Sequence, residues 1–260
     1  MKQDQYNFFK SLEGERIICW FSCGATSAVA CKLAIVSNAG KLPIRVCYCD
    51  TKSEHSDNYR FIRDCEKWFG QRVELLRNPK YKDLNDVIEK ERYLNGIAGA
   101  KCTQQLKIAV RLKMQRPETD YHIFGFDAGE IDRAFDFQAN NPSIRMIAPL
   151  IERGLTKPDC LAMLRDVGIK LPVMYDLGYR NNNCIGCVKG GKGYWNKIRR
   201  DFPEVFERRA KQEREIGASM INGCFLDELP PNAGRYSAEP DISCEGVCVQ
   251  ARNEIDNCEL

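Results

Sequence analysis

Histidine is nearly missing from this sequence: His55 and His122 are the two among 260 residues. A metal centre resting on several imidazoles is therefore excluded, and a metal site here would have to be rich in sulfur. Long apolar runs are missing as well. No stretch approaches the ~20 residues that a bilayer-spanning helix needs, and the start MKQDQYNFFK lacks the apolar core of a signal peptide. The expectation is a cytoplasmic protein with no membrane partner. No Gly-Lys-Ser/Thr follows a glycine-rich turn, which excludes a standard P-loop nucleotide hydrolase. Internal repeats and low-complexity tracts are also lacking. The net charge of +3 is too small to assign a partner for the whole chain.

Cysteine, by contrast, is abundant, at 14 residues. That number would suit a disulfide scaffold only in a small secreted chain, so in a reducing compartment it points to thiol chemistry or a metal group. Charge is unevenly placed. Residues 189–214 hold nine Lys or Arg against four acids, whereas 227–260 hold eight acids against two Arg. The basic stretch reads either as a phosphate-facing surface or as a solvated helix face.

Apolar runs alternate with helical patterns. RIICWF (16–21), IRVCYCD (44–50), RVELL (72–76), YHIFGFD (121–127) and IRMIAPL (144–150) read as strands. Helices are expected over 26–36 and 57–69, in the segment CTQQLKIAVRLKM, and after residue 155 up to about Gly168. Strands separated by helices predict an α/β fold with a doubly wound, mainly parallel five-stranded sheet. The expected division is a sheet domain over 1–155, followed by a helical, loop-rich and cysteine-containing extension over 156–260. In such sheets ligands bind beyond the carboxyl ends of the strands. The loops at 22–27, 50–57 and 125–133 all follow strands.

The first of these loops joins a strand to a helix through Ser22, Gly24, Thr26 and Ser27. Free N–H groups and the dipole at a helix start favour an anion, and glycine admits close approach. The competing reading is an ordinary capped turn. Asp50 ends the second strand and could accept from a ribose or adenine, or hold a metal with Glu54; capping the turn through Thr51 is the alternative. Glu130 and Arg133 follow the fourth strand, where Arg133 could fork onto a phosphate or simply pair with Glu130.

Among the cysteines, Cys184 and Cys187 form Cys-x-x-Cys, a spacing that lets two thiolates face one ion or cluster. A redox dithiol is the other reading. Cys102 opens a helix, where the dipole favours thiolate. SCEGVC adds Cys244 and Cys248. Spacing leaves zinc and iron–sulfur open. Cys19, Cys31, Cys47, Cys49, Cys65 and Cys160 lie in strand or helix patterns and read as small core residues. In KGGKGYWNKIRR, residues 189–200, Lys189 and Lys192 could meet the phosphates of a nucleotide or a nucleic acid. The aromatic residues Tyr194 and Trp195 read rather as core anchors.

The pattern Ser22-x-Gly24-x-x-Ser27 resembles the SGGxDS PP-loop of the adenine nucleotide alpha-hydrolase superfamily. With Cys23 and Thr26 in place of Gly and Asp, it is similar to the phosphoadenosine phosphosulfate (PAPS) reductase branch, in a divergent, phage-type form. YCDTKSEHSDNYRF resembles that branch's second motif, KCTQQLK its cysteine segment, FGFDAGEIDRA its G-x-D segment, and IAPLIERGLTKPD its PL segment. The resemblance spans about residues 15–200. It implies a Rossmann-like enzyme that binds an adenine nucleotide through Ser22, Gly24, Thr26, Ser27, Asp50, Thr51, Gly125, Asp127, Glu130 and Arg133. The nucleotide would be PAPS, its dephosphorylated form APS, or ATP with magnesium. Catalysis would fall to Cys102, Cys248 and Asp50. The resemblance favours a 4Fe-4S cluster over zinc, with ligands drawn from Cys102, Cys184, Cys187, Cys244 and Cys248. Cysteine-dependent reduction of a sulfonucleotide by a thioredoxin-like thiol is the leading expectation. ATP-dependent sulfur transfer to nucleic acid, with a sulfur donor as partner, is the alternative, and a non-catalytic nucleotide-binding module with a structural metal is the third. The chain lacks the family's ECGLH tail and its paired Cys-Cys, for which CEGVC and Cys102 are the nearest matches. A homodimer is left open.

Overall fold

The structure, a computed structural model, describes residues 14–96, 99–240 and 242. Five parallel strands form one sheet in the order β3-β2-β1-β4-β5. They are β1 (Arg16–Trp20), β2 (Ile44–Cys49), β3 (Val73–Leu76), β4 (Asp120–Ile123) and β5 (Arg145–Ile147). Each expected strand is present, trimmed at its ends. The apolar content of β1 follows from its place: as the central strand it is covered on both faces, and Ile17, Ile18 and Cys19 are fully buried. The chain runs outward from β1 to β3, then returns to the other side of β1 for β4. Strand order therefore reverses between β1 and β4, and the carboxyl ends of these two strands mark the binding crevice of such a sheet.

Chain contacts divide the protein into two compact units. The first comprises the chain to Asp50, Ser56–Leu76 and Arg111–Asn182; the second comprises Thr51–His55, Arg77–Val110 and the chain from Asn183 on. This differs from the boundary expected near residue 155. The helix α7 (Lys157–Asp166) buries Cys160 and Leu164, and the turn after it buries Ile169 and Leu171, in the same core as β1.

In the first unit the sheet is flanked by α1 (Ala25–Asn38), α2 (Asn58–Phe69), α6 (Ile131–Asn140), α7 and the short α8 (Val173–Asp176). Val29, Phe61, Cys65 and Phe69 fill the space beside Phe21 and Tyr48. Burial, the main cause, pushes the Cys160 thiol up to about 12, and raises Cys31, Cys47 and Cys65 well above the ordinary thiol range. These four, with Cys19, are core residues, as their positions in the sequence indicated; Cys49, expected with them, is only half-buried.

The second unit contains α3 (Leu84–Glu91), α9 (Lys192–Asp201) and α10 (Pro203–Ile216). It also holds a helical run that begins as α4 (Lys101–Thr103) and widens into a π-helical turn, Gln104–Ile108. The run regains α geometry as α5 (Ala109–Met114), which leads into the first unit. Leu84, Ile88, Leu94, Ala100 and Val188 form this unit's core, with Cys102 and Cys184 packed against it. Among the described residues, no helix is long and apolar enough to cross a membrane.

Candidate functional site

The turn after β1 is shaped by its own polar residues. Cys23 adopts a left-handed conformation, φ 62°, which lets the chain reverse from strand to helix within three residues. Asn182 holds this turn from behind, donating from Nδ2 to the Cys23 carbonyl at 2.8 Å and to Asn58 Oδ1 at 2.7 Å. Burial then alternates. Cys23, Ala25 and Ser27 point inward, whereas Ser22, Gly24 and Thr26 are partly exposed. The Ser27 hydroxyl accepts from the N–H groups of Ser22 (3.1 Å) and Gly24 (3.3 Å) and donates to the Gly24 carbonyl at 3.0 Å. Ser27 is thus spent on building the turn, the Ser22 hydroxyl donates to it at 3.0 Å, and Ser22, Gly24 and Thr26 are the partly exposed members. The Tyr175 hydroxyl, on α8, accepts from the Ala25 N–H at 3.3 Å.

Gly125, just past β4, is required by this packing. A Cβ there would stand 2.7 Å from the Ser27 Cα and 2.8 Å from its nitrogen. The turn and the end of β4 therefore meet backbone to backbone, at the sheet's point of reversal. Asp127 is committed to its own turn, accepting from the Gly129 N–H at 2.8 Å. Glu130 and Arg133 form an ion pair, with the guanidinium also 5.2 Å from the Phe126 ring centroid. Of the two readings of Arg133, the paired one describes its state here. Asp50, 5% exposed at the end of β2, accepts from the Tyr59 hydroxyl at 2.9 Å.

Deeper in this unit lies a cluster that sequence reading missed. The Trp20 indole N–H donates to His122 Nδ1 at 3.1 Å, so the His122 proton sits on Nε2. Burial, reinforced by the nearby Arg111 guanidinium, lowers the His122 pKa to about 4. Arg111 itself lies between 5.4 and 5.9 Å from the ring centroids of Trp20, Phe124 and Phe137.

The second unit holds the sulfur centre. Cys102, Cys184 and Cys187 line one recess together with Thr51, Thr103 and Lys107. The Cys184–Cys187 turn is clamped by Tyr194 of α9. Its hydroxyl accepts from the Cys187 N–H at 2.9 Å and donates to the Cys184 carbonyl at 3.2 Å. Gly186 has φ 72°, and a Cβ there would stand 2.5 Å from Val205 Cγ1, so the second middle residue of this Cys-x-x-Cys must be glycine. Ser53 accepts from the Ile185 N–H at 2.8 Å through its carbonyl. Thr51 Oγ1 lies 3.3 Å from Cys184 Sγ. Thr51, expected with the nucleotide residues, therefore belongs to the sulfur recess. Glu54 is also spoken for, since Lys107 Nζ stands 3.3 Å from its Oε1.

The basic stretch is largely used within its own unit. Lys197 pairs with Asp201 at 2.8 Å, and Arg199 donates to the Leu226 and Leu229 carbonyls while stacking on Phe206. Tyr194 and Trp195 are buried, as anchoring aromatics. The carboxylate of Glu239 accepts from the N–H groups of Gly193 and Tyr194 at the start of α9. Arg209 of α10 is 2% exposed, and its burial lowers its pKa from the ordinary guanidinium value.

Among the described residues, no group of three His, Cys, Asp or Glu is set closely enough to hold a metal ion. A single zinc gathers its sulfurs at about 2.3 Å from one point. An iron–sulfur cluster takes its thiolates at separate corners. Cys244 and Cys248, the other expected ligands, lie outside the described residues, as does Cys248 in its catalytic role.

Comparison with known proteins adds the following. The family model of the phosphoadenosine phosphosulfate reductase domain matches residues 16–190. Among solved structures, the chain is similar to phosphoadenylyl-sulfate (PAPS) reductase from Candida auris in a phosphate complex. The identity is 11%, over 71% of this chain and 88% of that one, with a TM-score of 0.49. It is also similar to the U34-tRNA thiolase NcsA from Methanococcus maripaludis with its 4Fe-4S cluster, at 10% identity over 89% and 86% of the two chains, TM-score 0.41. No curated protein sequence matches it.

Proposed function

The chain belongs to the phosphoadenosine phosphosulfate reductase domain family, and on that footing we propose that it is an enzyme of sulfonucleotide reduction. It binds an adenine sulfonucleotide at the turn after β1 and holds an iron–sulfur cluster on Cys102, Cys184 and Cys187. The observation that carries this reading is the convergence of those three cysteines, 85 residues apart at the extremes, on one recess.

The chain's own groups have separable tasks. The hydroxyls of Ser22 and Thr26 and the start of α1 meet the anionic end of the nucleotide, while Ser27 and Gly125 keep the turn in shape. Asp50, oriented by Tyr59, accepts from a ribose hydroxyl or the adenine amine. A cysteine thiolate, assigned to Cys248, attacks the sulfonyl sulfur. A sulfur–sulfur bond forms, the bond from sulfur to the phosphate oxygen breaks, and the nucleotide leaves with that electron pair. A dithiol reductant then displaces sulfite and is itself oxidised to the disulfide. A bound cluster would supply a fixed, polarising charge at the recess.

The test is anaerobic turnover of the purified chain with PAPS or APS and a dithiol. Sulfite release is expected, with nucleotide affinity falling roughly a hundredfold or more in Ser22→Ala/Thr26→Val as two hydrogen bonds to a charged group, about 1.5 kcal/mol or more each, are lost. Unchanged affinity would remove the loop assignment. ATP cleavage without sulfite release would instead favour the sulfur-transfer reading, and binding without turnover a non-catalytic module.

A further inference from the structure

We infer that Tyr175 is a further binding residue of the turn after β1, its hydroxyl donating to an anionic oxygen of the nucleotide seated over Gly24. This rests on the reading of that turn as the seat of the nucleotide's anionic end. The Tyr175 hydroxyl, on the short helix α8, accepts at 3.3 Å from the N–H of Ala25, the first residue of α1. A Cβ on Gly24 would stand 3.5 Å from that hydroxyl and 3.8 Å from Ser22 Oγ. Two hydroxyls therefore flank the space that glycine leaves open over the turn. Much of the turn's own donor capacity is engaged: the N–H groups of Ser22 and Gly24 and the Ser22 hydroxyl all reach Ser27 Oγ. An anion there gains from a donor that enters from outside the turn.

The phenol is held in place by its surroundings. Asp57 accepts from the Val173 N–H, at the start of α8, at 3.0 Å and from two nitrogens of Arg60, each at 2.7 Å. Arg60 also donates to the carbonyls of Lys170 and Leu171, at 2.8 and 3.0 Å, and so fixes the chain that leads into α8. The Tyr175 ring packs against the core that includes Ile17 and Phe21. A group already ordered in this way loses little freedom when a ligand arrives. Its oxygen accepts from a backbone N–H, which polarises the phenol and strengthens it as a donor. The start of α1 favours negative charge at the same place, and a hydrogen bond to a charged oxygen is about twice as strong as a neutral one.

The test measures binding of PAPS and of adenosine, which has the base and ribose without the anionic end, to the full-length wild type, Tyr175→Phe and Gly24→Ala. Calorimetry with competition gives both affinities. Tyr175→Phe keeps the ring and removes the hydroxyl; PAPS affinity is expected to fall roughly tenfold or more, and adenosine affinity to stay at the wild-type value. Gly24 has φ −103° and ψ 165°, which any residue adopts, and its Cβ would meet the two hydroxyls at ordinary contact distance. Gly24→Ala therefore fills the space over the turn without straining the chain and should show the same selective loss of PAPS. It decides the matter if the Phe variant does not fold. PAPS affinity unchanged in either folded variant, raised in Tyr175→Phe, or reduced by the same factor as adenosine affinity would overturn the inference, the last because a merely structural tyrosine would affect both ligands alike. Wild type that does not bind PAPS would instead overturn the reading of the turn itself.

Discussion

At the scale of single residues, the chemistry-bearing side chains divide by whether they are spent on the fold. Ser27, with the Ser22 hydroxyl bonded to it, and Asp127 close their own turns, Glu130 and Arg133 bind each other, and Gly24 and Thr26 remain partly exposed. The sequence identified this loop because small residues between a strand and a helix have few other uses. It could not say which hydroxyl points inward. The cysteines were legible in the same way: Cys19, Cys31, Cys47, Cys65 and Cys160, at strand or helix periodicity, are buried, whereas Cys49 is only half-buried, and Cys102, Cys184 and Cys187 line the recess. Arg209 was not legible. In the sequence it is one of nine cations in a basic run, and only the packing of α10 separates the buried one from the solvated ones. His122 gives a test at this scale. Its pKa of about 4 lies below the ordinary 6.5, so the neutral ring favours folding. That contribution, on the order of 3 kcal/mol, is complete above pH 6.5 and is lost as pH falls toward 4. Denaturant unfolding of wild type and His122→Asn should therefore diverge in slope between pH 6.5 and 4. Parallel curves would mean that His122 is not buried neutral.

At the scale of elements, the strands were read nearly to their ends because buried parallel strands are short apolar runs with turn residues on either side. The widening of the helix after Cys102 into a π turn was not read, as no residue in QQLKI marks it. Such turns recur at functional sites, and this one carries Lys107 and Leu106 to the wall of the sulfur recess. The amino ends of β1 and β4 are joined by Arg16 and Asp120. Arg16 Nε donates to Asp120 Oδ1 at 2.5 Å, and a second guanidinium nitrogen donates to Oδ2 at 3.0 Å. Asp120 is fully buried and also accepts from the Arg116 N–H. Asp120→Ala leaves a mostly buried guanidinium without its anion and is expected to cost roughly 3–5 kcal/mol in chemical denaturation. A loss below about 1 kcal/mol would show that the pair contributes little to joining the strands.

At the scale of the whole molecule, sequence order and spatial grouping part company. A linear reading places a boundary near residue 155, whereas the second unit gathers Thr51–His55, Arg77–Val110 and the chain from Asn183 on. Only tertiary contact could reveal this, because Cys102 and Cys184 meet across a long sequence separation with no shared pattern to announce it. The outcome is a nucleotide-type turn in one unit and a thiol recess in the other, each built from its own residues. The most direct test of this account is the iron and acid-labile sulfide content of the wild-type chain, purified without oxygen. About four of each per chain are expected, falling to near zero in a variant carrying Cys102→Ser, Cys184→Ser and Cys187→Ser. Zinc in place of iron, or iron retained by the triple variant, would contradict it.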